Sequence, residues 1–227
     1  MMHPKEVVEF IKSEELSYSE LASAIYKKFG VRVGKSLISY YKRSRTRIKQ
    51  IYLDRLSEWE LEWLLGLYYA DGCKFKEKHQ YTIKFGLDHS RDKDISQRVI
   101  ELLQKIGLKP TISLYRGSTV IRVYSKILHD EFPPKDGTYR PKEIFAFLSG
   151  LIDGDGSIRK GKTGVIWQYH YEDLMSYLVD ECKLTKHYSV RVRWGKLSKG
   201  IFYYVPLSVC KILKDKNYCI KLLRHVN

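Results

Sequence analysis

The sequence predicts an α+β body built from two αββαββα repeats, preceded by a small all-α segment. Three observations carry that expectation. A nine-residue stretch occurs twice in related form, similar strand and helix patterns follow each copy, and a basic, helical stretch precedes the first. With 227 residues, 44% of them hydrophobic, the chain is long and apolar enough for a packed core. The net charge of +15, from 41 basic and 26 acidic residues, says nothing of fold but points to a polyanionic partner, nucleic acid above all.

Residues 1–54 form the helical segment. Ser17-Tyr18-Ser19-Glu20 reads as a capping-box helix start, with Leu21, Ala22, Ile25 and Phe29 on one face and Gly30 as the stop. After Gly34 a second helix is expected over Ser36–Arg47. Lys27 to Lys49 holds nine basic residues and no acidic one. Two helices joined by a glycine-bearing turn, the second strongly basic, suggest a helix-turn-helix-like DNA-binding segment. Its candidate contacts are Lys35, Ser36, Ser39, Lys42, Arg43, Arg45 and Arg47. The joint is longer than usual, so a plain helical unit with a solvated basic face is the competing reading.

The first repeat, residues 55–139, opens with Leu64-Leu65-Gly66-Leu67-Tyr68-Tyr69-Ala70-Asp71-Gly72. A hairpin follows, with Tyr81–Phe85 as its clearer strand. Asp92 and Gly107 bracket a helix on which Ile95, Val99, Leu102, Leu103 and Ile106 recur at helical spacing. Strands are expected at Thr111–Tyr115 and Thr119–Tyr124, split by Arg116-Gly117-Ser118. Pro133, Pro134, Gly137 and Pro141 mark the joint. The second repeat, residues 140–227, opens with Leu148-Ser149-Gly150-Leu151-Ile152-Asp153-Gly154-Asp155-Gly156. It continues with a strand at Val165–Tyr169, a helix at Tyr171–Lys183 and a hairpin of Tyr188–Trp194 and Ile201–Val205. One closing helix is expected over Pro206–Leu223.

These two stretches, with their aspartates 84 positions apart, resemble the paired motifs of monomeric LAGLIDADG homing endonucleases. The likeness runs from about Ser57 to the end of the chain. The second copy departs from the family name at Ser149 and Gly154, the first at Leu65, Tyr68 and Tyr69. The resemblance implies two pseudo-twofold-related subdomains with antiparallel, saddle-shaped sheets and the motif helices side by side between them. Gly66 and Gly150 would let those helices pack with backbones unusually close. The glycine after each aspartate is expected to take a left-handed turn. Asp71 and Asp155 would then stand at adjacent helix C-termini, where dipole and mutual repulsion both disfavour them unless a cation lies between. Hard oxygen ligands suit Mg²⁺, with Mn²⁺ as a substitute.

By the same resemblance the activity is site-specific hydrolysis of one phosphodiester on each DNA strand, with the carbonyls of Ala70 and Gly154 as further metal ligands. Gln168 and Asp88 are candidates for orienting water, and Arg159 and Lys126 for facing the scissile phosphate. The sheets would read a long, pseudo-symmetric duplex site, since an antiparallel ribbon fits the major groove. Lys74 with Lys76, Thr82 with Lys84, Arg122 with Tyr124, and Arg191 with Arg193 are the candidate strand contacts. Two other function classes compete: a non-cleaving DNA-binding regulator and an RNA-splicing maturase.

Cys73, Cys182, Cys210 and Cys219 show no metal-ligand spacing and read as inert thiols. His79, His89, His170 and His187 fit no zinc or HNH signature and read as solvated or packing side chains. No apolar run approaches the roughly 20 residues that span a bilayer. The expectation is a soluble, intracellular monomer that engages no membrane.

Overall fold

The computed structural model describes residues 5–43, 51–158, 164–167, 171–193 and 196–224. The chain divides into two compact units, residues 1–50 and 51–227. In the first, α1 (Lys5–Ser13), α2 (Tyr18–Phe29) and α3 (Lys35–Arg43) pack around Val7, Ile11, Leu21, Ile25, Val33 and Ile38. The Ser17–Glu20 capping box is formed, and Gly30 ends α2 at φ 68°. Helix α1 had no counterpart in the sequence reading.

The second unit begins with a single 3-10 turn, Leu53–Arg55, followed by α4 (Glu58–Asp71), β1 (Gly72–Glu77), β2 (Gln80–Asp88) and α5 (Lys93–Lys105). It continues through β3 (Thr111–Tyr115), β4 (Ser118–Tyr124), α6 (Lys126–Glu131) and α7 (Ile144–Asp155). Strands β5 (Gly156–Ile158) and β6 (Gly164–Trp167), helix α8 (Glu172–Cys182), and strands β7 (Thr185–Arg193) and β8 (Lys196–Val205) follow. Helices α9 (Leu207–Asp215) and α10 (Ile220–Leu223) close it. Among the described residues there are two four-stranded antiparallel sheets, ordered β1-β2-β4-β3 and β5-β6-β8-β7. The architecture is α+β with the same strand order in both halves.

Helices α4 and α7 run through the centre, and one apolar core gathers both halves around them. Residues 62–69 of α4 and 146–153 of α7 are buried on every side, so these helices lack the single apolar stripe of a surface helix. A capping box of Ser57 and Glu60 starts α4.

Two expectations are corrected. Gly72 and Gly156 are extended, at φ −98° and −86°, not left-handed. Glycine is required there by closeness: a Cβ on Gly72 would lie 2.7 Å from Tyr68 Cα, and one on Gly156 2.4 Å from Ile152 O. The single closing helix is two, because Asn217 takes φ 54° and turns the chain between α9 and α10. The cysteine thiols are free, those of Cys182, Cys210 and Cys219 buried.

Candidate active site and nucleic-acid face

Helices α4 and α7 cross with backbone against backbone. A Cβ on Gly66 would stand 2.0 Å from Phe147 O, and one on Gly150 2.1 Å from Trp63 O, distances no real side chain tolerates. One turn further on, a Cβ on Gly154 would meet Ala70 Cβ at 2.3 Å and Asp71 Oδ2 at 3.2 Å. The carboxylate of the first half thus lies against the motif backbone of the second. Asp71 is pushed up to about 7, first by burial and then by the charge of Asp155. Asp155 is also raised by burial, against the lowering influence of Lys135 and Lys221.

Those two lysines were not singled out in the sequence. Lys221 Nζ donates to Gly154 O at 2.7 Å and to Gly156 O at 2.9 Å. Lys135 Nζ donates to Tyr69 O at 3.0 Å and to Gly72 O at 2.7 Å. Each therefore caps the C-terminus of its own repeat's motif helix, where carbonyls lack helical partners and the dipole is negative. Burial lowers Lys135 to about 8.

The residue two before each aspartate holds the lysine-bearing segment in place. Asp153, fully buried, accepts the backbone N–H groups of Ile220 at 3.0 Å and Lys221 at 2.8 Å. It also accepts Trp63 Nε1 at 2.8 Å and the Cys219 thiol at 3.3 Å. In the first half Tyr69, which departs from the family pattern, donates its hydroxyl to Pro134 O at 2.8 Å. The substitution keeps a tie to the corresponding segment. The signal that could have found the lysines is repeat position: they follow their own aspartates by 64 and 66 residues.

A cleft of about 410 Å³ opens beside Asp71, lined also by Asp88, Arg91, Asp92, Gly154, Ser157, Lys221 and Arg224. Asp88 lines this cleft, but its Oδ1 accepts from Ser90 N, Ser90 Oγ and Arg91 N, which holds it low in a tight turn. Lys126 is exposed at the start of α6, its ammonium 5.8 Å from the Tyr81 ring centre. Tyr81 lies four positions along β2 from Phe85, the partner of Gly72, or roughly 13 Å. Lys126 is therefore not beside the aspartates. Gln168, Arg159, Arg45 and Arg47 lie outside the described residues, as does His170.

Sheet register corrects part of the nucleic-acid face. Lys74 pairs with Ile83 and Lys76 with Tyr81, whereas Lys84 pairs with Cys73 and Arg122. Directly opposed residues share a face. Lys74 and Lys76 therefore share the face of buried Ile83 and Val123, and Lys74 Nζ donates to His129 O and Phe132 O behind the sheet. Lys84, Arg122 and exposed Tyr124 occupy the opposite face. Thr82 is on that face too, in a row with Phe75 and Tyr124, but it is buried. On the second sheet His187, Phe202 and Tyr204 cluster, His187 stacking on Phe202 with ring centres 5.5 Å apart. Arg191 and Arg193 pair with Ser198 and Lys196 in the β7–β8 ladder. In the first unit Lys35 and Ser36 are exposed and Ser39 is half-buried on α3, which runs to Arg43. Lys42 Nζ donates to Leu16 O at 3.0 Å.

No family model matches the chain. An uncharacterized protein of Methanocaldococcus jannaschii is 27% identical, over 69% of this chain and 62% of the relative. The chain thus spans somewhat under two thirds of that relative. Among solved structures, a variant of I-DmoI in complex with its target DNA and manganese superposes with a TM-score of 0.50 and 18% identity. The match covers 70% of this chain and 93% of that one. The second unit has the LAGLIDADG fold. The N-terminal LAGLIDADG domain of DUF199/WhiA also matches, with a TM-score of 0.48 and 16% identity over 78% of this chain and 92% of that domain. In this LAGLIDADG fold the two motif helices bring Asp71 against Gly154, and the sheet face that carries Lys84 and Arg122 is the one turned away from the helices.

Proposed function

We propose that the chain binds double-stranded DNA and cleaves both strands at a long, pseudo-symmetric site, with Asp71 and Asp155 holding a divalent cation. One observation carries the reading: two carboxylates, one per repeat, sit at the C-termini of helices packed backbone to backbone and repel one another. The donor set fits a hard cation. It offers carboxylate oxygens made unfavourable by burial and by each other, next to the negative ends of two helix dipoles. Among the described residues no three His, Cys, Asp or Glu side chains gather at one point, so the cation would rest on this pair with the Ala70 carbonyl. The Gly154 carbonyl is the remaining candidate ligand. When bound, Mg²⁺ or Mn²⁺ supplies Lewis-acid charge that neutralises a scissile phosphate and lowers the pKa of a coordinated water.

The protein's own groups do the rest. Lys84, Arg122 and Tyr124 offer phosphate and base contacts on one sheet face. The basic helix α3 extends the contact as a helix-turn-helix-like module, residues 1–54, ahead of subdomains 55–139 and 140–227. The two-repeat body completes the site within one chain, so a monomer suffices. A second reading, a non-cleaving DNA-binding regulator, is favoured by the Lys221 bonds, which already place a cation at Gly154 O. Selection of cut sites from a random duplex library in supercoiled plasmid with Mg²⁺ decides between them. Asp71→Asn or Asp155→Asn should keep DNA affinity and lose cleavage of at least one strand. Normal double-strand cutting by both variants overturns the metal reading, and no cutting by the parent protein favours the regulator.

A further inference from the structure

Lys135 and Lys221 are matched features to which the cleavage reading of the aspartates gives no role. Each comes from the segment that closes its own repeat, and each ammonium bridges two carbonyls at the end of its own motif helix. Each segment is tied to the residue two before the aspartate, through Tyr69 to Pro134 in one half and Asp153 to Ile220 and Lys221 in the other. The duplicated placement makes chance surface contact a poor account. The lysines are also close enough to influence the ionisation of both Asp71 and Asp155.

We infer that Lys135 and Lys221 are resident countercharges of the aspartate pair, and that a divalent cation enters by displacing the Lys221 ammonium from the Gly154 carbonyl. The inference rests on the metal reading of Asp71 and Asp155. An ammonium and a divalent cation seek the same oxygens, and two positive charges at such range oppose each other. Each lysine offsets negative charge at the end of its own motif helix while no metal is bound, and together they set the affinity for metal below what the oxygens alone would give. They are positioning residues.

Titration calorimetry of the full chain with MnCl₂ tests this. Lys221→Met should bind Mn²⁺ about tenfold more tightly, the effect of removing one nearby unit charge, although it is less heat-stable. Lys221→Arg, which keeps the charge, should bind as the parent does. Lys135→Met should shift affinity in the same direction. A merely structural lysine would lower affinity and stability together, so unchanged or weaker Mn²⁺ binding by Lys221→Met overturns the inference. Should that variant not fold, a crystal structure of the parent with Mn²⁺ serves instead. Lys221 Nζ should have moved beyond hydrogen-bond reach of Gly154 O, and a retained bond with Mn²⁺ seated at the aspartates overturns it. The Asp71→Asn/Asp155→Asn protein separates the two failures. If it binds Mn²⁺ as the parent does, the metal reading itself falls, and this inference with it.

Discussion

The indole N–H of Trp63, on the first motif helix, donates at 2.8 Å to Asp153 on the second, in a fully buried bond that joins the two halves of the body. Asp153 is raised by burial and held by four donors. Asp153→Ala would leave buried N–H groups without partners, each at about 1–3 kcal/mol. Loss of more than about 3 kcal/mol is expected in urea denaturation, with Trp63→Phe costing about 1–2 kcal/mol. Additive effects in the double variant would show that the bond does not couple the helices.

Gly66→Ala and Gly150→Ala test the helix crossing. Each Cβ would press on a backbone carbonyl oxygen, at 2.0 Å and 2.1 Å respectively, which cannot swing aside as a side chain does. We expect about 3 kcal/mol or more of destabilisation from each. A melting temperature equal to the parent's would refute the close crossing.

The aspartate pair predicts a pH dependence. Asp71 is pushed up to about 7 in the folded chain, by burial and then Asp155, whereas unfolded it releases its proton near pH 4 (about 3.9). Between those values the native state holds more protons, so this group's contribution to stability is complete below about pH 4 and is lost as pH rises to about 7. With a chelator present, Asp71→Asn should gain stability relative to the parent as pH rises across that window. A constant difference between the two proteins would contradict the buried pair.

The sheet faces make a selective prediction for DNA. Lys84→Ala and Arg122→Ala should weaken binding and each reduce the slope of log affinity against log salt by about 1. Lys74→Met should leave that slope unchanged, because its ammonium is held by His129 O and Phe132 O. Equal effects from all three would mean that register does not sort these basic residues.

Deleting residues 1–50, which form a separate compact unit, should weaken DNA binding and flatten its salt dependence. An unchanged slope in filter binding at several salt concentrations would make this unit a packing module without nucleic-acid contacts.

Local pattern determined much of the architecture. Strand alternation, the helical spacing from Ile95 to Ile106, and the duplicated motif with Gly66 and Gly150 were all readable, because periodicity and glycine placement act over a few residues and recur in each repeat. The matched offsets of Lys135 and Lys221 from their aspartates were readable but their role was not, because their partners are carbonyls more than 60 residues away, and a carbonyl has no letter in the sequence. The sorting of Lys74 from Lys84 needed the cross-strand register, since alternation separates two faces without saying which one is covered. The break at Asn217 likewise depended on docking Ile220 and Lys221 onto Asp153. The chain's letters thus determined the repeat, its elements and the two acids. Only packing in three dimensions decided that those acids lie across a glycine crossing with lysines on the same backbone, because the carbonyls and charges that meet there are brought together by the core and not by adjacency along the chain.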